Sequence, residues 1–148
     1  MQDNISSSYA ELGRHEEALR IEREVYARKS ALYGALHEAT LLSAVNLAST
    51  LVDNLEQFDE ARTFLRDRIP ESIRVLGKDH VTTFRLERMN AQCLFQNDDA
   101  SRDDVATAIA ALEDLDRRVT RVYGAAHPQT RSTRDRLAEA REKLARAK

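Results

Sequence analysis

Only one cysteine, Cys93, occurs among the 148 residues. An internal disulfide is therefore excluded, and the thiol content fits a reducing compartment. Proline and glycine are also sparse, at 2 and 4 residues. Long helices are permitted and a fold of many tight hairpins is not. No apolar run approaches the roughly 18 residues that read as a membrane-spanning helix. The stretch Met1 to Ser8 is polar and lacks the basic-then-apolar pattern of a signal peptide. A formal net charge of -2 supplies no global basic field for nucleic acid. What remains is 42% apolar and 32% charged, too apolar for a disordered chain and too charged for a membrane protein. A soluble protein of the cytoplasm is expected, with neither nucleic acid nor membrane as partner.

The chain repeats itself. Leu32-Tyr33-Gly34-Ala35-Leu36-His37-Glu38-Ala39-Thr40, Val75-Leu76-Gly77-Lys78-Asp79-His80-Val81-Thr82-Thr83 and Val122-Tyr123-Gly124-Ala125-Ala126-His127-Pro128-Gln129-Thr130 share one pattern. Each has an apolar pair, Gly, two variable residues, His, two variable residues and Thr. The histidines are 43 and 47 residues apart, and Ala18, Ala61 and Ala108 each stand 19 residues before theirs. A third landmark, Asn4-Ile5-Ser6-Ser7-Ser8-Tyr9, returns 42 residues later as Asn46-Leu47-Ala48-Ser49-Thr50-Leu51.

Each period divides into two helices. Apolar residues at Ala108, Ile109, Leu112, Leu115, Val119, Val122 and Tyr123 step by three and four along one helix face. Leu41, Val45, Ala48, Leu51, Val52 and Leu55 form a second such face. Gly34, Gly77 and Gly124 stand where a glycine ends a helix, and His127-Pro128 reads as N-cap and first helical residue. Ala48, Ala91 and Ala138, each 11 residues after its His, are expected to face Ala18, Ala61 and Ala108 across close helix contacts. Pro70 predicts a kink or break in the stretch Asp59 to Leu76, because it has no N–H for the carbonyl of Arg66. The implied architecture is an all-α, right-handed α-solenoid of about three antiparallel helix pairs plus a C-terminal capping helix. One domain spans 1–148, with repeats at about 1–35, 36–78 and 79–125 and the cap at 127–147.

Asn46-Leu47-Ala48-Ser49-Thr50, Gly13-Arg14-His15-Glu16-Glu17-Ala18 and Leu76-Gly77-Lys78-Asp79-His80 resemble the kinesin-light-chain type of tetratricopeptide repeat. Its period is longer than the roughly 34 residues of the basic repeat. The departures are local. His15 and Phe58 stand where that type has Tyr, Leu55 replaces a turn Gly beside one extra residue, and Asn97 to Asp104 lengthen the third turn. The resemblance implies a binding module with no catalytic chemistry, whose first helices line a concave groove for a peptide. It places Asn4 and Asn46 at the position that hydrogen-bonds a peptide, with Ser49 and Asp53 beside them. Counting along the third copy adds Arg85, Arg88, Met89 and Gln92. Two arginines there favour an acidic peptide. The plainer alternative makes Asn46 an interhelical amide and the arginines ordinary surface residues.

Other constellations carry less. The histidines lie at turns a repeat apart, too far for one metal centre, and His37-Glu38 lacks the second zincin His because Leu41 holds its place. The stretch Asp98 to Asp104 lacks the glycine and terminal glutamate of a calcium loop, and Asp103 or Asp104 is expected to cap the next helix. No cofactor is expected. Two functions follow: a protein–protein adaptor that takes a partner's peptide in the groove, or an architectural stretch of a longer array that stacks or self-associates through its N-terminal end. Asn4 already lies mid-helix in the repeat register, so the first helix is expected to be short or cut from such an array.

Overall fold

A computed structural model describes residues 4–146, with side chains described from residue 11 onward. Among the described residues the order is α1 (Asn4–Tyr33), α2 (Glu38–Ser49), a π-helical turn (Thr50–Asn54), α3 (Phe58–Leu76), α4 (Val81–Phe95), α5 (Arg102–Tyr123) and α6 (Pro128–Arg146). There is no strand among them. Successive helices pack on one another, and α2, α4 and α6 also lie side by side.

The repeated turn is built by its three invariant residue types. Gly34, Gly77 and Gly124 have φ of 88°, 98° and 87°. The last two combine this with ψ near 160°, a region only glycine occupies readily. Three residues later the histidine Nδ1 accepts the N–H two residues on, from Ala39, Thr82 and Gln129 at 3.0, 3.0 and 3.1 Å. It thereby satisfies one donor of the new helix. The threonine then returns its hydroxyl to the glycine carbonyl, at 2.8 Å in the first two turns and 2.7 Å in the third. All three threonines are fully buried. Glycine, histidine and threonine therefore form one stitch between consecutive helices.

The core lies in two clusters. Val45, Ala48 and Leu51 pack with Ala61, Leu65, Met89 and Cys93, and Phe84, Ala91 and Leu94 pack with Ala108, Leu112 and Leu115. Most of the two expected faces is buried, with Leu51 and Val52 carried by the π-helical turn that follows α2, but Val122 at the end of α5 is exposed. Arg118 ties α5 to α4: it pairs with Glu87 and Asp114, donates to the Lys78 carbonyl, and lies 5.6 Å from the Phe84 ring centroid.

Four local expectations are corrected, and one local feature is added. Where a helix pair is expected over residues 1–35, α1 runs as one helix through Gly13. α3 continues past Pro70, so of the kink or break expected there the break does not occur. Arg66 and Pro70 are both exposed there, so water can take the carbonyl that lacks a helical partner. Ala138 is exposed, while α6 buries Thr130, Thr133, Leu137 and Ala140 against α5 and α4. The N-cap of α5 is Ser101, not an aspartate. It accepts from the Asp104 N–H at 3.0 Å, and Asp104 accepts from the Ser101 N–H at 3.1 Å. Finally, the extra residue of the second copy is absorbed in the π turn, where the N–H of Leu55 reaches back five residues to Thr50 at 3.0 Å. The left-handed residue that follows is Glu56, with φ of 52°.

Candidate functional site

The first helices of the copies, α2, α4 and α6, present side chains at fixed intervals from the turn histidines. Twelve residues after each His stand Ser49, Gln92 and Glu139, and sixteen after stand Asp53, Gln96 and Lys143. These two rows pair diagonally between neighbours. Gln92 Nε2 donates to Asp53 Oδ1 at 3.2 Å and Gln96 Nε2 to Glu139 Oε2 at 3.5 Å. Ser49 donates to Asp53 Oδ2 at 3.2 Å. Lys143 closes the row by donating to the Asn97 carbonyl at 2.9 Å and to the Phe95 carbonyl, the latter at the C-terminal end of α4. A cleft of about 640 Å³ lies along this face, lined among others by Asp53, Gln92, Gln96, Arg136 and Lys143.

The expected site residues separate on this geometry. Asn46 is exposed, Ser49 is half-buried, and Asp53 is exposed at the cleft. Gln92 is buried yet offers its amide to Asp53. Met89 turns inward, 4% exposed, and joins the core. It holds the same place after its His as Asn46, but it packs among Val45, Ala48, Leu51, Ala61 and Leu65 of the first core cluster. Asn4 lies outside the described side chains.

Arg88, on α4, is a half-buried cation. Its Nη1 donates to Gln129 Oε1 on α6 at 2.7 Å. Among the described residues no carboxylate forms an ion pair with it. Burial, followed by the neighbouring Arg85 guanidinium, pushes the Arg88 pKa down to about 10; Asp53 acts in the opposite direction and Arg136 adds to the fall. The side chain remains a cation at neutral pH, held mostly by neutral and positive neighbours. Such a site favours an incoming carboxylate, with which a guanidinium forms two parallel hydrogen bonds.

Sequence counting missed Gln129 and Arg136. The signal was available for Arg136, which stands nine residues after His127 as Asn46 stands nine after His37. Reading the C-terminal helix only as a cap hid its role as a further first helix. A second cleft, of about 690 Å³, opens beside α3 and includes Arg62, Arg66, Pro70 and Asn90. Among the described residues no cluster of His, Cys, Asp and Glu could hold a metal ion. No described helix is long and apolar enough to cross a membrane.

The fold and face define a class: an all-α array of helical repeats with a polar, partly cationic surface on its first helices. Residues 1–70, just under half of the chain, match the family model of the tetratricopeptide repeat, which supports a tetratricopeptide repeat protein. That family is a non-catalytic repeat module whose members generally mediate protein–protein interaction or scaffolding. No curated protein matches the chain.

Proposed function

We infer that the chain is an adaptor of the kinesin-light-chain type, binding an acidic peptide segment of a protein partner through the groove of its first helices. Arg88 carries this reading. A half-buried cation bonded to an amide, with Arg85 and Arg136 as electrostatic neighbours, gains more from a ligand carboxylate than from water. Asp53 acts on it through charge and limits how many negative groups the groove accepts, and Asn46, exposed on α2, offers an amide suited to a peptide backbone. The test is fluorescence anisotropy with a labelled octaglutamate peptide, and an octalysine peptide as control. The wild type binds octaglutamate in a salt-sensitive manner, and Arg88→Glu abolishes that binding while helicity is unchanged. Equal affinity for both peptides, or binding indifferent to Arg88→Glu, contradicts the reading. The second reading is architectural: a stacking or self-associating unit, favoured by the open strip along α1 described next.

A further inference from the structure

The first copy differs from the other two in how its second-helix register is covered. Ala18, Glu22 and Val25 on α1 stand where α3 places Ala61, Leu65 and Arg68 and where α5 places Ala108, Leu112 and Leu115. Arg68 is half-buried and pairs with Glu71, and the other five are fully buried. They pack against the first helix of their own pair, against Val45 and Ala48 of α2 and Leu51 of the π-helical turn, or against Phe84, Ala91 and Leu94 of α4. Ala18, Glu22 and Val25 are only half-buried. Beside them Ile21 is 45% exposed. Glu22 also holds a buried Oε1 without a hydrogen-bond partner among the described residues, an arrangement a folded chain rarely leaves uncompensated.

The missing cover has a sequence within the chain. Asn4 to Tyr9 repeats Asn46 to Leu51, so Ile5 and Tyr9 match Leu47 and Leu51, which are buried in the second copy. The serines Ser6, Ser7 and Ser8 bring hydroxyl donors of the kind that Glu22 lacks. Yet α1 is one helix through Gly13. At 1.5 Å per residue, Ser8 and Glu22 are roughly 21 Å apart along a single axis. Residues 4–12 therefore cannot lie against residues 18–25 of the same α1, but they can lie against those of another molecule.

We propose that two copies of this chain exchange the N-terminal part of α1, residues 4–12 of each lying along the Ala18–Glu22–Val25 strip of the other. The exchange is reciprocal, so the contact closes as a two-fold dimer. It rests on the architectural reading and is independent of the Arg88 groove. Light-scattering mass over a concentration series gives twice the 16.8 kDa of the chain. Gly13→Pro ends the helix before residue 13 and lets residues 4–12 fold back on their own strip, which returns a helical monomer. Val25→Arg places a charge in the strip and also yields a monomer, with circular dichroism unchanged. Should Gly13→Pro fail to fold, Val25→Arg decides alone. A monomeric wild type, or a dimer that survives Val25→Arg or a folded Gly13→Pro, overturns the proposal. Arg88→Glu leaves the dimer intact while removing octaglutamate binding, so the dimer and the groove fail separately.

Discussion

Thr83 donates its hydroxyl to the carbonyl oxygen of Gly77 at 2.8 Å, across the turn that joins α3 to α4. Because that proton is committed, the 2.6 Å contact between Ser72 and Thr83 has Ser72 as donor. Both side chains are fully buried. Thr83→Val keeps the shape and leaves the Gly77 carbonyl and the Ser72 hydroxyl without this partner. Chemical denaturation should show a loss of about 1–3 kcal/mol. Gly77→Ala should cost a similar amount, about 1–3 kcal/mol, through backbone strain at φ 98° and not through crowding, since an added Cβ meets nothing within 4 Å. A neutral result for both would remove the stitch as a determinant of the fold.

Gly13 and Glu56 occupy equivalent places in the repeat and have opposite backbone needs. Gly13 lies within α1 with open space around its Cα, so Gly13→Ala should stabilise by about 1 kcal/mol. Glu56 is exposed with φ of 52°, so Glu56→Gly should stabilise by about 1 kcal/mol. Thermal melts of the two variants check the pair. A destabilising Gly13→Ala would indicate a turn at that residue in place of the continuous helix.

Cys93 is 4% exposed in the first core cluster, and burial pushes its thiol pKa up to about 12. The thiol stays protonated through the neutral range, and the thiolate is the reactive form. An aromatic disulfide reagent should react slowly with the folded chain up to about pH 9 and rapidly in denaturant. Fast reaction of the native chain at neutral pH would show that the core opens readily at α4.

Much of this molecule was legible because its turn chemistry is local. Gly77, His80 and Thr83 each act within a few residues of their own position, and the same three residue types recur at Gly34 and Gly124. The apolar faces of α2 and α5 were legible for the same reason, being set by helical spacing. What was hidden depends on neighbours. Gly13 carries the same surrounding residues as a turn glycine, and a helix tolerates glycine at a cost of roughly 1 kcal/mol, so composition does not distinguish the two states. Met89 and Asn46 share a register position, yet Met89 packs in the first core cluster while Asn46 is exposed, a difference set by tertiary neighbours and not by local spacing. The site was legible as a face and not as a set of contacts. Gln129 and Arg136 enter it from α6, a helix whose charge disguised its place in the repeat.

The central claim, an acidic segment bound on the first helices at Arg88, is tested most directly by titrating the isotope-labelled chain with octaglutamate and following its resonances by NMR. The account predicts shifts at the Arg88 guanidinium, at the side-chain amides of Asn46, Gln92 and Gln129, and along α2, α4 and α6. Shifts confined to Arg62, Arg66 and Asn90 in the cleft beside α3, or none at all, would contradict it.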